Sequence, residues 1–125
     1  MYYVAVRREF VAQHYLVGGD WGPENLRHSH HYQVEVELSG RHLDEHGYLL
    51  DIVDLETHLT EVIAHFRDRT LNELPEFAGL NPSIEHFSRI LCQALKSRLQ
   101  VPHLQTIRVK LWETGIAWAA YQEEF

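Results

Sequence analysis

Three histidines, His14, His28 and His30, stand where the local pattern can bring their imidazoles together. Residues two apart on a β-strand project to the same face, so His28 and His30 share a side. Tyr32, Val34, Val36 and Leu38 continue that parity as an apolar stripe, while Gln33, Glu35 and Glu37 occupy the other face. An earlier segment ends in the same way, with Phe10 and Ala12 followed at equal spacing by His14. Ten histidines in 125 residues make chance pairs common, so the pair draws its meaning from this third imidazole. Neutral imidazoles gathered where two apolar faces end suit a catalytic zinc, which takes three protein ligands and keeps a fourth position for water or substrate. His31 points to the opposite face and is read as solvated. A carboxylate holds a comparable place: Ile107, Val109 and Leu111 alternate with Arg108, Lys110 and Trp112, and Glu113 ends the apolar side.

The elements that must position these groups follow from periodicity. Tyr2 to His14 reads as one long strand and His30 to Ser39 as a second, ended by Gly40. Between them Val17-Gly18-Gly19-Asp20-Trp21-Gly22-Pro23 is a loop by composition, carrying the chain over the expected metal. Asp44-Glu45-His46-Gly47 is a turn, and Asp51 is a good N-cap. The helix it opens, from about Ile52 to Phe66, places Ile52, Leu55, Leu59, Val62, Ile63 and Phe66 along one stripe. A connector containing Pro75 leads to Asn81-Pro82-Ser83, which caps a second helix. There Ile84, Phe87, Ile90, Leu91, Ala94, Leu95 and Leu99 repeat at helical spacing, and Pro102 closes it. Thr106 to Glu113 and Ile116 to Tyr121 are the last two strands, joined at Thr114-Gly115 by a hairpin turn. The order ββααββ predicts an α+β domain: a four-stranded antiparallel sheet with two helices on one face. Its two long edges lack proline or internal charge, so sheets from several copies are expected to close into a ring, as a homo-oligomer.

The chain, residues 1–125, is read as a single domain. Eleven Lys and Arg against eighteen Asp and Glu give a net charge of −7, which argues against a nucleic-acid or anionic-membrane partner in the absence of a basic run. An anionic ligand would have to be met by a few local cations, such as Arg27, and a metal. No targeting or membrane-spanning segment is visible, because the alternating N-terminus soon meets Arg7, Arg8 and Glu9. The single cysteine, Cys92, lies on the second helix away from the histidines. It is read as structural, and with no internal disulfide possible the expected location is a reducing cytoplasm.

In order along the chain, Phe10-x-Ala12-x-His14, His28-x-His30-x-Tyr32, Gly47-x-x-x-Asp51, Leu71-Asn72, Asn81-Pro82-Ser83-x-Glu85 and Glu113-Thr114 resemble the signature blocks of the 6-pyruvoyl tetrahydropterin synthase and 6-carboxytetrahydropterin synthase family. The resemblance spans nearly the whole chain, and its specificity lies in the ordered set. It implies a tunnelling fold (T-fold), in which trimers close their sheets into a β-barrel and two rings stack as a hexamer. It also implies Zn2+ held by His14, His28 and His30, a pterin ring anchored by Glu113, and Ser83 on the ring pocket. A carboxylate suits the ring because the amino-pyrimidine edge offers two adjacent N–H donors. The usual substrate is 7,8-dihydroneopterin triphosphate, and the outcome is triphosphate elimination or carbon–carbon cleavage.

Two departures concern proton transfer. The family usually carries a cysteine a few residues before the first histidine of the pair, and here Glu24 stands four residues before His28. Members with glutamate in that region are associated with release of 6-hydroxymethyl-dihydropterin, a folate intermediate, so Glu24 is the candidate base. The Asp-His pair that usually precedes Leu-Asn is replaced by Arg67-Asp68, making Asp68 the second catalytic candidate. Ser29 replaces a customary glycine between the histidines. The expectation is a zinc-dependent lyase acting on a pterin side chain. The alternatives are a glutamate-type variant serving folate synthesis and a zinc- and pterin-binding homologue without turnover. Queuosine, biopterin and folate pathways all remain open.

Overall fold

The computed structural model describes residues 1–125. Alternating apolar residues build four strands: β1 (Tyr2–His14), β2 (His28–Gly40), β3 (Thr106–Trp112) and β4 (Trp118–Glu124). They form one sheet in the order β1-β2-β3-β4, with every neighbour antiparallel. The expected side is the buried one, since Phe10, Ala12, Tyr32, Val34, Val36, Leu38, Ile107, Val109 and Leu111 all lie in the core.

Helices α1 (Ile52–Phe66) and α2 (Ile84–Lys96) cover that face. Asp51 caps α1 by accepting from the Val53 amide at 2.9 Å, and Ser83 caps α2 by accepting from the His86 amide at 3.2 Å. Leu55, Leu59, Val62, Ile63 and Phe66 are buried as the helical spacing predicts. Ile52 is not; it stands 47% exposed in the first turn of α1. Leu99 is buried but lies beyond the end of α2, in the turn that follows it. Phe87 on α2 makes edge contacts with Phe10, Tyr32, Phe66 and Phe77 at centroid distances of 5.3–5.8 Å. Because interiors are close-packed, this cluster fixes the ring of Tyr32, the residue next in line after His30 on the buried face.

Two of the boundaries that differ from expectation bear on the site, while β3 ends one residue earlier, at Trp112, and β4 runs on to Glu124. β2 begins at His28, so both histidines of the pair are inside the ladder, with His14 opposite His28 and Ala12 opposite His30. β4 begins at Trp118, paired with Trp112, and Ile116 is 95% exposed at the tip of the connection. The β3–β4 link is therefore the longer segment Glu113–Ala117 rather than a tight turn at Thr114-Gly115. The difference matters because it releases Glu113 from ladder pairing. Along the outer edge of β1, a segment after α1 covers only the last turn of strand: the Asp68 amide donates to Val11 O at 2.7 Å and the Gln13 amide to Arg69 O at 2.9 Å. The rest of β1 and the outer edge of β4 have no strand partner.

Candidate metal centre

His14 and His28 face each other across the β1–β2 ladder, and His30 is diagonal to His14 two pairs further along. The three rings form a pinwheel, with centroids 4.6, 4.7 and 4.8 Å apart and planes inclined at 75°, 78° and 80°. All three point Nε2 inward: His14 to His28 is 3.0 Å, and His28 to His30 is 3.0 Å. The opposite nitrogens are held by main-chain carbonyls. His14 Nδ1 donates to Pro82 O at 3.0 Å, with the Tyr32 hydroxyl 3.2 Å away, and His28 Nδ1 donates to Leu26 O at 2.7 Å. A carbonyl oxygen can only accept, so in both rings the proton sits on Nδ1 and the Nε2 lone pair faces the centre. Such outer partners are what fixes tautomer and orientation in metal-binding histidines.

Lone pairs converging at this range repel unless a positive charge lies between them. Metal–nitrogen bonds of about 2.0–2.1 Å at tetrahedral angles put neighbouring nitrogens roughly 3.3 Å apart, close to what the rings already show. The donor set therefore fits a four-coordinate dication. Burial pushes the His30 pKa below its ordinary value, against the opposing pull of the Glu113 and Glu24 carboxylates. A neutral imidazole is the form that binds metal.

Glu113 reaches two of the three rings. Its Oε1 is 2.8 Å from His30 Nε2 and 3.3 Å from His14 Nε2. Whenever His14 Nε2 carries a proton it donates to this carboxylate, and that hydrogen bond, helped by positive charge on the neighbouring rings, holds the carboxyl below the usual range against partial burial. Tyr32 is pushed upward by burial and by the Glu113 charge, so its hydroxyl stays neutral.

The other sequence candidates lie at varying removes. Glu24 is exposed on a 3-10 turn, Gly22–Asn25, and its charge is felt by His30. Ser83 has its hydroxyl on the N-terminus of α2, beside the Pro82 carbonyl that holds His14. Asp68 is on the far side of the β1 edge, at a left-handed φ of 60°, lining a cavity of about 420 Å³ with Gln13, Arg27 and Arg69. It makes no hydrogen bond or ion pair to the histidines within this chain. His65 is tied to Glu76 at 2.7 Å instead.

Sequence reasoning missed how the site is braced. Asn72 grips the residue after His14 from both sides, accepting from Tyr15 N at 3.0 Å and donating to Tyr15 O at 2.8 Å. Asn81 accepts from Val17 N at 2.9 Å, and Asn25 donates to Leu16 O and Gly19 O at 3.1 and 3.0 Å. The loop between His14 and His28 is thus pinned by three asparagines. A Cβ at Gly19 would stand 2.6 Å from the Trp21 ring, so a larger residue there would have to displace that side chain. Leu71-Asn72 and Asn81-Pro82 were visible as motifs, but nothing local announced that they anchor a distant histidine.

The family model described as 6-pyruvoyl tetrahydropterin synthase matches residues 3–124. The chain belongs to that family. It is a family of lyases of pterin metabolism, and the ββααββ sheet-and-helix architecture is its tunnelling fold. Among its relatives, an Archaeoglobus fulgidus protein with the provisional name 6-carboxy-5,6,7,8-tetrahydropterin synthase is 35% identical over 92 residues, 74% of this chain and 72% of that one. The solved 6-pyruvoyl tetrahydropterin synthase of Caenorhabditis elegans superposes with a TM-score of 0.79 at 24% identity, covering 98% of this chain and 97% of that one. A Plasmodium vivax 6-pyruvoyltetrahydropterin synthase, solved as a variant with alanine replacing a glutamate described as a catalytic residue, gives a TM-score of 0.79 at 14% identity over the whole of both chains. These two likenesses are of fold.

Proposed function

We propose that this family member is a zinc-dependent lyase acting on the side chain of 7,8-dihydroneopterin triphosphate or a closely related dihydropterin. The convergence of three Nε2 atoms beside a carboxylate is the observation that carries the reading. His14, His28 and His30 hold the ion, and the carbonyls of Pro82 and Leu26 keep the lone pairs of His14 and His28 aimed. Zinc bound by three neutral ligands keeps its full charge and acts as a Lewis acid toward the oxygen functions of the pterin side chain.

The remaining steps belong to the protein. Glu113 accepts two parallel N–H donors from the amino-pyrimidine edge, fixing the ring and the direction of its side chain. Glu24, on the loop over the site, removes a proton from a side-chain carbon and returns it. Ser83 borders the ring pocket. Asp68 makes no hydrogen bond or ion pair with its own histidines, and its role is assigned to the site of a neighbouring copy in a ring-shaped oligomer, a hexamer of two stacked trimers. Arg27, with Arg69 across the same cavity, supplies positive charge for a phosphorylated tail on an otherwise acidic protein.

A second reading, release of 6-hydroxymethyl-dihydropterin, is favoured by one observation. Glu24 occupies the loop where the family's cysteine would stand, and a Plasmodium relative uses a catalytic glutamate. Incubating the zinc-loaded protein with 7,8-dihydroneopterin triphosphate and resolving the products by chromatography tests both. Metal-dependent consumption is expected, with Glu24→Gln at equal metal content slower by about 10²–10⁴-fold. Hydroxymethyl product selects the second reading. Ring binding with no product at all removes the enzyme and leaves a binding homologue.

A further inference from the structure

His14 and His28 are aimed by carbonyls that are held in very different ways. Pro82, which accepts from His14, is buried at the start of α2, whereas Leu26, which accepts from His28 at 2.7 Å, is 70% exposed. His28 also stands in the last pair of the β1–β2 ladder, where the sheet does little to stop its ring from turning. From Val17 to Arg27 every residue is exposed except Asn25, and none belongs to the core. Gly18 and Gly22 turn the chain at left-handed φ of 90° and 63°. Packing therefore does not hold this loop, and the carbonyl that orients a metal ligand needs another restraint.

Asn25 supplies it. Both hydrogens of its Nδ2 are used, on Leu16 O at 3.1 Å and on Gly19 O at 3.0 Å, and its Oδ1 accepts from the Trp21 amide at 2.7 Å. Chemistry fixes that orientation, since a reversed amide would set its oxygen against two carbonyls. Leu16 is gripped on its other side as well, because its own amide donates to Glu24 O at 2.9 Å. The chain two residues after His14 is thus joined to the chain three residues before His28. We propose that Asn25 is a positioning residue of the metal centre: its amide fixes the Gly22–Asn25 turn, and with it the Leu26 carbonyl that aims His28 and the backbone that carries Glu24. This rests on the zinc reading above. One side chain then serves both its neighbours in sequence, the proton-transfer candidate before it and the orienting carbonyl after it.

The test compares the wild type with Asn25→Ala and Asn25→Asp. The aspartate keeps the size of the side chain and the acceptor for Trp21, and replaces both donors with an oxygen. Under conditions where circular dichroism shows all three folded, zinc affinity is read by chelator competition. Opening of the loop is read by the rate of tryptic cleavage after Arg27, with cleavage after Arg41 as the internal control. Both variants are expected to bind zinc about 10–100-fold more weakly and to be cut after Arg27 on the order of tenfold faster, with Arg41 unaffected. A role confined to global stability would move neither the zinc affinity of the folded protein nor the ratio of the two cleavage rates. At saturating zinc, slower turnover of the dihydropterin at unchanged KM is the expected mark of a displaced Glu24, and a wild-type kcat removes Glu24 from the proposal. Wild-type zinc affinity in Asn25→Ala overturns the positioning of His28, even where cleavage is faster. Weaker zinc binding with unchanged cleavage after Arg27 overturns the route through the loop. Wild-type behaviour of Asn25→Asp overturns the role of the two donors. A wild type that takes up no zinc overturns the zinc reading itself, a result separate from any difference among the variants.

Discussion

At the scale of the residue, one nitrogen decides what a histidine can do. His14 is 1% exposed in its side chain, with Nδ1 committed to the Pro82 carbonyl, so its only free chemistry is the Nε2 lone pair. His31, with its side chain 65% exposed and 3.6 Å from Glu9, has no such constraint. Replacing His28 by alanine should therefore abolish stoichiometric zinc, measured by mass spectrometry of the purified protein, whereas His31→Ala should leave it intact. Cys92 illustrates the opposite outcome. It is fully buried, and burial pushes its thiol up to about 12, so the thiolate is absent at neutral and mildly alkaline pH. A disulfide reagent at pH 8 should leave the native protein unmodified and react with one thiol per chain after denaturation in urea. Prompt modification of the folded protein would contradict the buried placement.

At the scale of the element, the site hangs on junctions. The N-terminus of α2 does two things within adjacent residues: Ser83 caps the helix and Pro82 orients His14. Losing a Ser cap costs about 1 kcal/mol, so Ser83→Ala should lower the unfolding free energy by that amount, read as a lower urea midpoint without a change in slope. Pterin affinity measured on the same variant separates the two roles of Ser83. A cap alone leaves affinity unchanged, and contact with the ring lowers it. The β3–β4 hairpin is the other junction. A tight turn would have kept Glu113 in the ladder, whereas the longer connection frees its carboxylate to reach His30 at 2.8 Å.

For the whole molecule, the free sheet edges are the dominant feature. β1 is covered only near its end, by Asp68–Thr70, and β4 offers an unpaired outer edge with Trp118 50% exposed. Tyr2 and Tyr3 at the start of β1 are 50% and 64% exposed. Unpaired backbone of this length invites strand addition, and closure into a ring is the arrangement that ends it. Light scattering on the purified protein should give a mass that is a multiple of three chains of 14.7 kDa, with six the expected number. A monodisperse monomer at micromolar concentration would remove the ring and, with it, the assignment of Asp68 to a neighbour's site. No helix is long and apolar enough to cross a membrane.

The sequence by itself determined what is local. Alternation decided which side chains share the buried face, so His14, His28, His30 and Glu113 could be placed on it, and the capping residues Asp51 and Ser83 marked both helix starts. Periodicity is legible because it follows from backbone geometry within a few residues. It failed at Ile116, an apolar residue that the turn leaves in solvent, because hairpin length depends on the pairing of Trp112 with Trp118 rather than on composition. Only the tertiary structure decided the rest: that His14 stands opposite His28, that two backbone carbonyls aim two of the imidazoles, and that Glu113 reaches His14 and His30. Coordination is a relation of ångströms between residues as much as a hundred positions apart, and strand register and packing alone set it.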